Sequence, residues 1–388
     1  MNDLNLLTPK VSRQVVYGID ALSANKQKRT GVENYSRLLI EAMKTHALKE
    51  GERVVLYSNT KLDRAFGTLP PGWSSAVLNW PLGRGWMSLR VSWEILRRKP
   101  NLLFVPGQAL PMLCPRAVVT TIHDLAFARR PDLYSASTRK RLKRVTQQAV
   151  EKATRIIVPT EATKQDLVEE YRLDHARVVV VAEAADTNLY RPYTQEEARS
   201  TLQKHRLGTN FFLVVGRLEK KKNITNLLRA FELFKTRRGL GDPFELVFVG
   251  EPGYGYDEMK TYFDLSPHKD QIRQLGYLPD EEVAPLMSQA MAFLFPSWYE
   301  GFGIPNLEAM AAGTVLVASD IPAHREVVGD AGLLVPPEDP EAWAHALERI
   351  VKDGTLRTEL IAKGAERVKQ FSWQKTAEQT WEVLRSLV

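Results

Sequence analysis

The residues best suited to chemistry lie between Phe295 and Gly313, where an apolar run passes through a glycine-rich turn into a helix with Pro305 in its first turn. Glu300 falls in the turn and Glu308 about one helical turn inside. Two carboxylates on one wall of a crevice are acceptors suited to sugar and ribose hydroxyls. The amides of Gly303 to Asn306, at a helix N-terminus, form a place suited to phosphate. Alone, a pair at this spacing would read as a solvated helix face. Upstream, Arg217 and Lys222 flank a second strand-to-helix turn, Arg offering a fork to anionic oxygens and Lys a point charge. Their neighbours Lys220 and Lys221 read as a solvated lysine turn. His123 follows the run Val118–Ile122, which puts it at the carboxyl end of a strand.

The elements that must hold these residues are short β-branched runs alternating with helical-period stretches. Strands are expected at Val15–Gly18, Val54–Ser58, Leu102–Val105, Val118–Ile122, Ile156–Val158 and Val178–Val181. After a polar stretch from Asp186 to Gly208, read as a linker with a short helix, they resume at Phe211–Val215, Leu246–Val249, Ile272–Leu275, Ala292–Phe295, Val315–Ala318 and Leu333–Val335. Two such blocks predict an α/β protein of two doubly wound parallel-sheet domains with a cleft between them. A last helix near Ser372–Leu387 carries Trp373 and Trp381, which predicts that the tail docks.

Composition excludes several classes. A chain of 388 residues suits two domains or one large one. No apolar window is long enough to span a bilayer, and the first ten residues lack the pattern of a secretory signal. The single cysteine, Cys114, excludes an internal disulfide framework and a cysteine-cluster zinc site, so a cytoplasmic setting is expected. Charge is unevenly spread: residues 1–150 hold 24 Lys and Arg against 10 Asp and Glu, the remainder 29 against 36. The basic front half points to an anionic partner. The dinucleotide fingerprint, the phosphate-binding loop of NTPases, the nucleophile elbow and the zinc-protease motif are all missing.

Taken together, the motifs carry a resemblance. The stretch Ser297 to Gly313, with Ser319-Asp320 and Arg325 to Asp330 after it, resembles the retaining family 4 glycosyltransferases of the two-domain GT-B fold. Glu300 and Glu308 match that family's Glu-x7-Glu motif. Val215 to Asn223 is similar to its Gly-Arg and Lys-Asn segment, and Thr121 to Leu125 to its His-Asp-Leu turn. Thr163 to Leu167 and Phe371-Ser372-Trp373 also fit, so the resemblance covers nearly the whole chain. Two departures stand out. Gly31 lies where the family commonly has two adjacent glycines, and Ala182-Glu183-Ala184-Ala185 replaces a usual Pro-Asn-Gly turn before Asp186.

The resemblance implies an N-terminal acceptor-side domain over 1–190, a nucleotide-sugar domain over 191–371, and a C-terminal helix, 372–388, returning to the first. It implies retaining transfer of a hexose from a nucleotide-diphosphate sugar, GDP- or UDP-linked, to a saccharide or lipid-linked acceptor, with mannosyl transfer in surface polysaccharide synthesis as a specific expectation. Arg217 and Lys222 would hold the diphosphate, generally with no divalent metal and no other cofactor. Glu308 would hold the ribose, and Glu300 and His123 the transferred sugar. The rest of the donor site would comprise Gly31, Leu278, Gly301, Phe302, Gly303, Ile304, Asn306 and Leu307. A phosphorylase or nucleotide-sugar epimerase of the same fold is the rival. A nucleic-acid-binding protein is disfavoured, since no reader motif is present.

Two surface features remain. Trp86, Leu89 and Trp93 follow a spacing expected to pack on a sheet rather than dip into a membrane. The run Arg139, Lys140, Arg141, Lys143 and Arg144 is expected to face outward from a helix, where it suits peripheral contact with an anionic membrane on the cytoplasmic side.

Overall fold

A computed structural model describes residues 14–27, 31–82, 84–239 and 241–388. The first ten residues, and Arg29 and Thr30 before Gly31, lie outside the described residues.

Seven parallel strands form the first sheet: β1 (Val15–Asp20), β2 (Glu52–Ser58), β3 (Trp73–Val77), β4 (Leu102–Val105), β5 (Ala117–Thr121), β6 (Arg155–Val158) and β7 (Val178–Val180), in the order β3-β2-β1-β4-β5-β6-β7. The second sheet has six: β8 (Phe211–Val215), β9 (Glu245–Val249), β10 (Ile272–Gln274), β11 (Ala292–Phe295), β12 (Leu316–Ser319) and β13 (Leu333–Val335), ordered β10-β9-β8-β11-β12-β13. The two-sheet α/β architecture expected from the sequence is therefore present. β3 was not signalled. Its Ser74 and Ser75 are exposed and only Trp73 is buried, as suits an edge strand with one covered face. The expected linker helix is Gln195–His205, started by a capping box in which Thr194 and Glu197 bond reciprocally.

The chain divides into two compact units, one of Met1–Thr121, Gln148–Ile156 and Ala377–Val388, the other of Ile122–Gln147 and Ile157–Thr376. In the first, Trp381 meets the rings of Tyr17 and Trp73 edge-on at 5.3 and 6.2 Å, and its indole donates to the Met43 carbonyl. Arg385 pairs with Glu52 at 2.8 Å, and Tyr17 donates to the same carboxylate. In the second, alternate residues of the central strands fill two cores. Leu213, Val247, Phe293 and Phe295 face one side; Phe212, Leu246, Phe248 and Leu294 face the other. Burial on both faces is why these strands read as unbroken apolar runs.

The tryptophan helix departs from expectation. Trp86 is buried and its indole donates to the Leu78 carbonyl at 2.8 Å, but Leu89 and Trp93 are exposed. The cause is a wide π-type turn over Trp86–Val91 ahead of the α-helix Ser92–Arg98. A wider turn carries positions three and seven residues on away from the buried stripe.

Candidate active site

In the second sheet the strand order reverses between β8 and β11, and in open parallel sheets ligands bind at the carboxyl ends of the strands flanking such a point. β8 ends at Val215, immediately before Gly216 and Arg217. β11 ends at Phe295, five residues before Glu300. The topology thus places the two turns singled out by the sequence on either side of one switch point.

Lys220–Lys222 form a single 3-10 turn, closed by Asn223 in the left-handed conformation with its side chain donating to the Pro337 carbonyl. This turn sends the lysines different ways. Lys222 Nζ lies 2.7 Å from Glu300 and 4.5 Å from the centre of the Phe295 ring. Lys221, expected to be solvated, is instead largely covered and bridges Asp124 at 3.1 Å and Glu300 at 3.4 Å. Lys220 faces outward to Glu258. Burial would raise the Glu300 carboxyl, but Lys221 and Lys222 outweigh it and hold the group well below the usual carboxylate range. Burial would likewise lower Lys221, yet Asp124 and Glu300 hold it well above its ordinary value. The result is a cluster in which the Lys221 and Lys222 side chains meet those of Asp124 and Glu300. Arg217 is exposed beside it, its Nε 3.4 Å from the Pro252 carbonyl.

The turn after Glu300 is fixed from below. A Cβ on Gly301 would stand 1.7 Å from the His123 carbonyl oxygen, so no other residue fits. The Thr160 and Thr163 hydroxyls both donate to the Gly301 carbonyl, at 2.7 and 3.1 Å. Gly303 has φ 88°, and its absent Cβ would crowd the Asn306 amide and the His324 ring. Asn306 is fully buried, and its side-chain amide has no hydrogen-bond partner among the described residues. His324 donates from Nδ1 to the Ser319 carbonyl, and burial pushes its pKa down to about 4, so the ring is neutral. Tyr299 donates to Asp166 at 2.6 Å, and Glu326 accepts from the amides of Glu161 and Ala162 at the start of the helix Glu161–Tyr171.

The helix Ile304–Ala311 begins where expected, but only part of its N-terminus is available. The Asn306 amide is used by the Gly303 carbonyl, and Pro305 has none. Of the four residues expected to offer amides, Gly303 and Ile304 remain. Glu308 sits one turn inside, where burial first, then Asp280 and Asp186, pushes its pKa up to about 8. Phe302, Leu307 and Leu278 have their side chains in the core, so each can meet a ligand only through its main chain. Tyr277 is exposed.

His123 Nδ1 lies 2.8 Å from Glu183, within the segment that departs from the usual Pro-Asn-Gly turn. Sequence reasoning did not assign Glu183, Lys221, Thr160 or Thr163 to the site. Asp124 was legible only as part of the His-Asp-Leu turn. Gly31 opens the helix Gly31–Lys44 in the other compact unit and is exposed. Among the described residues no group of three His, Cys, Asp or Glu side chains is placed to hold a metal ion.

Comparison with known proteins identifies the family. Residues 29–189 match the family model described as Glycosyltransferase Family 4, and residues 196–367 match Glycosyl transferases group 1. The chain is 30% identical to the O-antigen chain mannosyltransferase B of Escherichia coli over 75% of its own length and 76% of that protein. It is 27% identical to the O-antigen chain mannosyltransferase RfbU of Salmonella typhimurium, over 70% of each. Among solved structures, Anabaena HepE in complex with UDP and glucose has the same fold, with a TM-score of 0.73 at 18% identity, covering 96% of this chain and 100% of that one. With both family models matched in tandem and the ionic cluster at the sheet's switch point, the chain belongs to glycosyltransferase family 4 and is a glycosyltransferase of the GT-B fold.

Proposed function

We propose that the chain transfers a mannosyl residue, with retention, from GDP-mannose to a saccharide or lipid-linked acceptor in the assembly of a surface polysaccharide. The observation that carries the reading is the Lys221–Glu300–Lys222 cluster at the carboxyl ends of β8 and β11. Its cations, with Arg217, suit a diphosphate, and its carboxylate suits sugar hydroxyls. Relatives named as O-antigen mannosyltransferases favour mannose over other hexoses and glycosyl transfer over phosphorolysis or epimerisation. UDP-linked hexose is the second donor, favoured by the UDP and glucose bound to the HepE neighbour.

In this mechanism the acceptor oxygen bonds to the anomeric carbon on the face that the diphosphate leaves. The carbon–oxygen bond to phosphate breaks with its electron pair going to phosphate, and a phosphate oxygen takes the acceptor proton. Arg217, Lys222 and the amides of Gly303 and Ile304 stabilise the charge that develops there, the role a divalent metal fills elsewhere. Glu300 and His123 hold the sugar, and Glu308 accepts from the ribose hydroxyls.

Peripheral attachment to an anionic membrane belongs to the same reading. No helix among the described residues is long and apolar enough to cross a bilayer. Arg139, Lys140, Arg141, Lys143 and Arg144 are all exposed on the helix Ala136–Lys152, and each basic side chain near an anionic surface is worth about 1 kcal/mol.

The test is a thermal-shift panel of GDP-, UDP- and ADP-sugars followed by a transfer assay with whichever stabilises most, since a ligand bound only by the native state raises its melting temperature. GDP-mannose is expected to lead. Stabilisation by none of the nucleotide sugars would refute the reading.

A further inference from the structure

The face made by the π-type turn Trp86–Val91, the helix Ser92–Arg98 and the loop through Met112 and Leu113 takes no part in the site above. It carries large apolar side chains in water: Leu89 is 50% exposed, Trp93 54%, Leu96 56% and Met112 62%. They form one surface. Leu89, Trp93 and Leu96 succeed one another at four and three residues along the helical segment. The Met112 amide donates to the Ser88 carbonyl and the Leu113 amide to Ser92 Oγ, which sets the loop against the same segment. Lys152 fastens the loop from behind, donating to the carbonyls of Pro111 and Met112 at 3.0 Å each. An apolar patch held this firmly and left open marks an interaction site.

The charges around it say what it meets. Between Trp80 and Arg116 there are six Arg and Lys residues and one acid, Glu94. Glu94 is buried and already paired with Arg90 at 2.9 Å and Arg98 at 2.6 Å, so the outward field is positive. The guanidinium groups of Arg90 and Arg97 lie 4.9 and 5.5 Å from the centre of the Trp93 ring. A second copy of this face would bring like charges together. An anionic lipid surface brings opposite charge to the rim and an apolar layer to the centre, and tryptophan favours the boundary between the two.

We propose that this face is a bilayer-docking surface. Leu89, Trp93, Leu96 and Met112 enter the boundary between headgroups and acyl chains, while Arg97, Arg98 and Lys99 lie against lipid phosphates. The proposal rests on the membrane location put forward above and assigns its inserting surface. The cations of this face supply attraction, which salt screens; its apolar side chains add burial, which salt does not.

The experiment is co-sedimentation of the full chain with phosphatidylcholine vesicles and with mixed phosphatidylcholine–phosphatidylglycerol vesicles, at low and high salt. One variant combines Trp93→Ser, Leu96→Ser and Met112→Ser; the other changes Arg139, Lys140, Arg141, Lys143 and Arg144 to Gln. Wild type is expected to bind the mixed vesicles and to keep part of that binding at high salt. The serine variant, whose charge is unchanged, should bind about tenfold or more weakly and lose the salt-resistant fraction, for want of the apolar area it buries. Wild-type retention of that fraction by the serine variant would overturn this surface while leaving the membrane location standing. Absence of wild-type binding to either vesicle would overturn both. Concentration-dependent dimers in ultracentrifugation that the serine variant abolishes would identify a second copy as the occupant and overturn the proposal.

Discussion

His123 Nδ1 stands 2.8 Å from the buried carboxylate of Glu183, sixty residues further along the chain. The pair fixes how the imidazole ring is turned. His123→Ala should lower turnover and leave nucleoside diphosphate affinity nearly intact. Glu183→Gln, which keeps a hydrogen-bond acceptor, should cause the smaller loss. Calorimetric nucleotide binding alongside initial rates checks both. Equal loss of affinity and rate in His123→Ala would instead mark the ring as structural.

The ionic cluster separates two kinds of damage. Lys222→Ala and Arg217→Ala should each remove about 2–4 kcal/mol of transition-state stabilisation, the scale for one oriented electrostatic group. Lys221→Ala removes the cation that bridges half-buried Asp124 and Glu300, while Glu300 keeps Lys222, and should cost about 1 kcal/mol of folding stability. Urea denaturation of all three variants, beside kcat/KM, distinguishes the roles. On the proposed reading Lys222 and Arg217 neutralise the leaving group, so activity should persist in EDTA. Restoration by Mn²⁺ of an enzyme dead in EDTA would sink that expectation.

Glu308 gives a pH signature. Burial raises its folded pKa to about 8 from an ordinary 4.5. Its protonated form therefore stabilises the fold fully below about pH 4.5, and that contribution is lost as pH rises to 8. Wild type should lose stability relative to Glu308→Gln across that window. A ribose hydroxyl donates best to the ionised carboxylate, so nucleotide binding near pH 7 should release a proton. Calorimetry in buffers of different ionisation enthalpy measures it. Zero proton release would remove Glu308 from the ribose site.

Gly301→Ala should be among the most damaging single substitutions, because its methyl group would fall on the His123 carbonyl, a backbone atom that cannot swing aside. A loss of about 3 kcal/mol or more is expected, read as a lowered urea midpoint or insoluble expression. Thr160→Val removes one of two donors to the Gly301 carbonyl and should cost about 1 kcal/mol.

What could be read from the sequence follows from range. β8, β9, β11 and β12 are buried on both faces and announce themselves as apolar runs, whereas β3 exposes two serines and stays silent. Glu300, Glu308, Arg217 and Lys222 were legible because each lies at a fixed local distance from a strand end. Lys221 was not: its partner Asp124 lies 97 residues upstream, and nothing local in a lysine triplet marks the member that reaches it. Glu183 was visible merely as an oddity of its segment. Trp93 misled because a spacing that buries a residue on an α-helix exposes it on a wider turn.

The two threonine hydroxyls on the Gly301 carbonyl bear on how a donor is captured. A peptide's C=O and N–H point in opposite directions, so fastening the Gly301 carbonyl toward Thr160 and Thr163 also sets the heading of the Phe302 N–H. The loop has therefore surrendered its rotational freedom during folding, and an incoming sugar nucleotide need not freeze it. Capture should show a small entropic penalty and a fast on-rate, with Thr160→Val slowing association more than it speeds release.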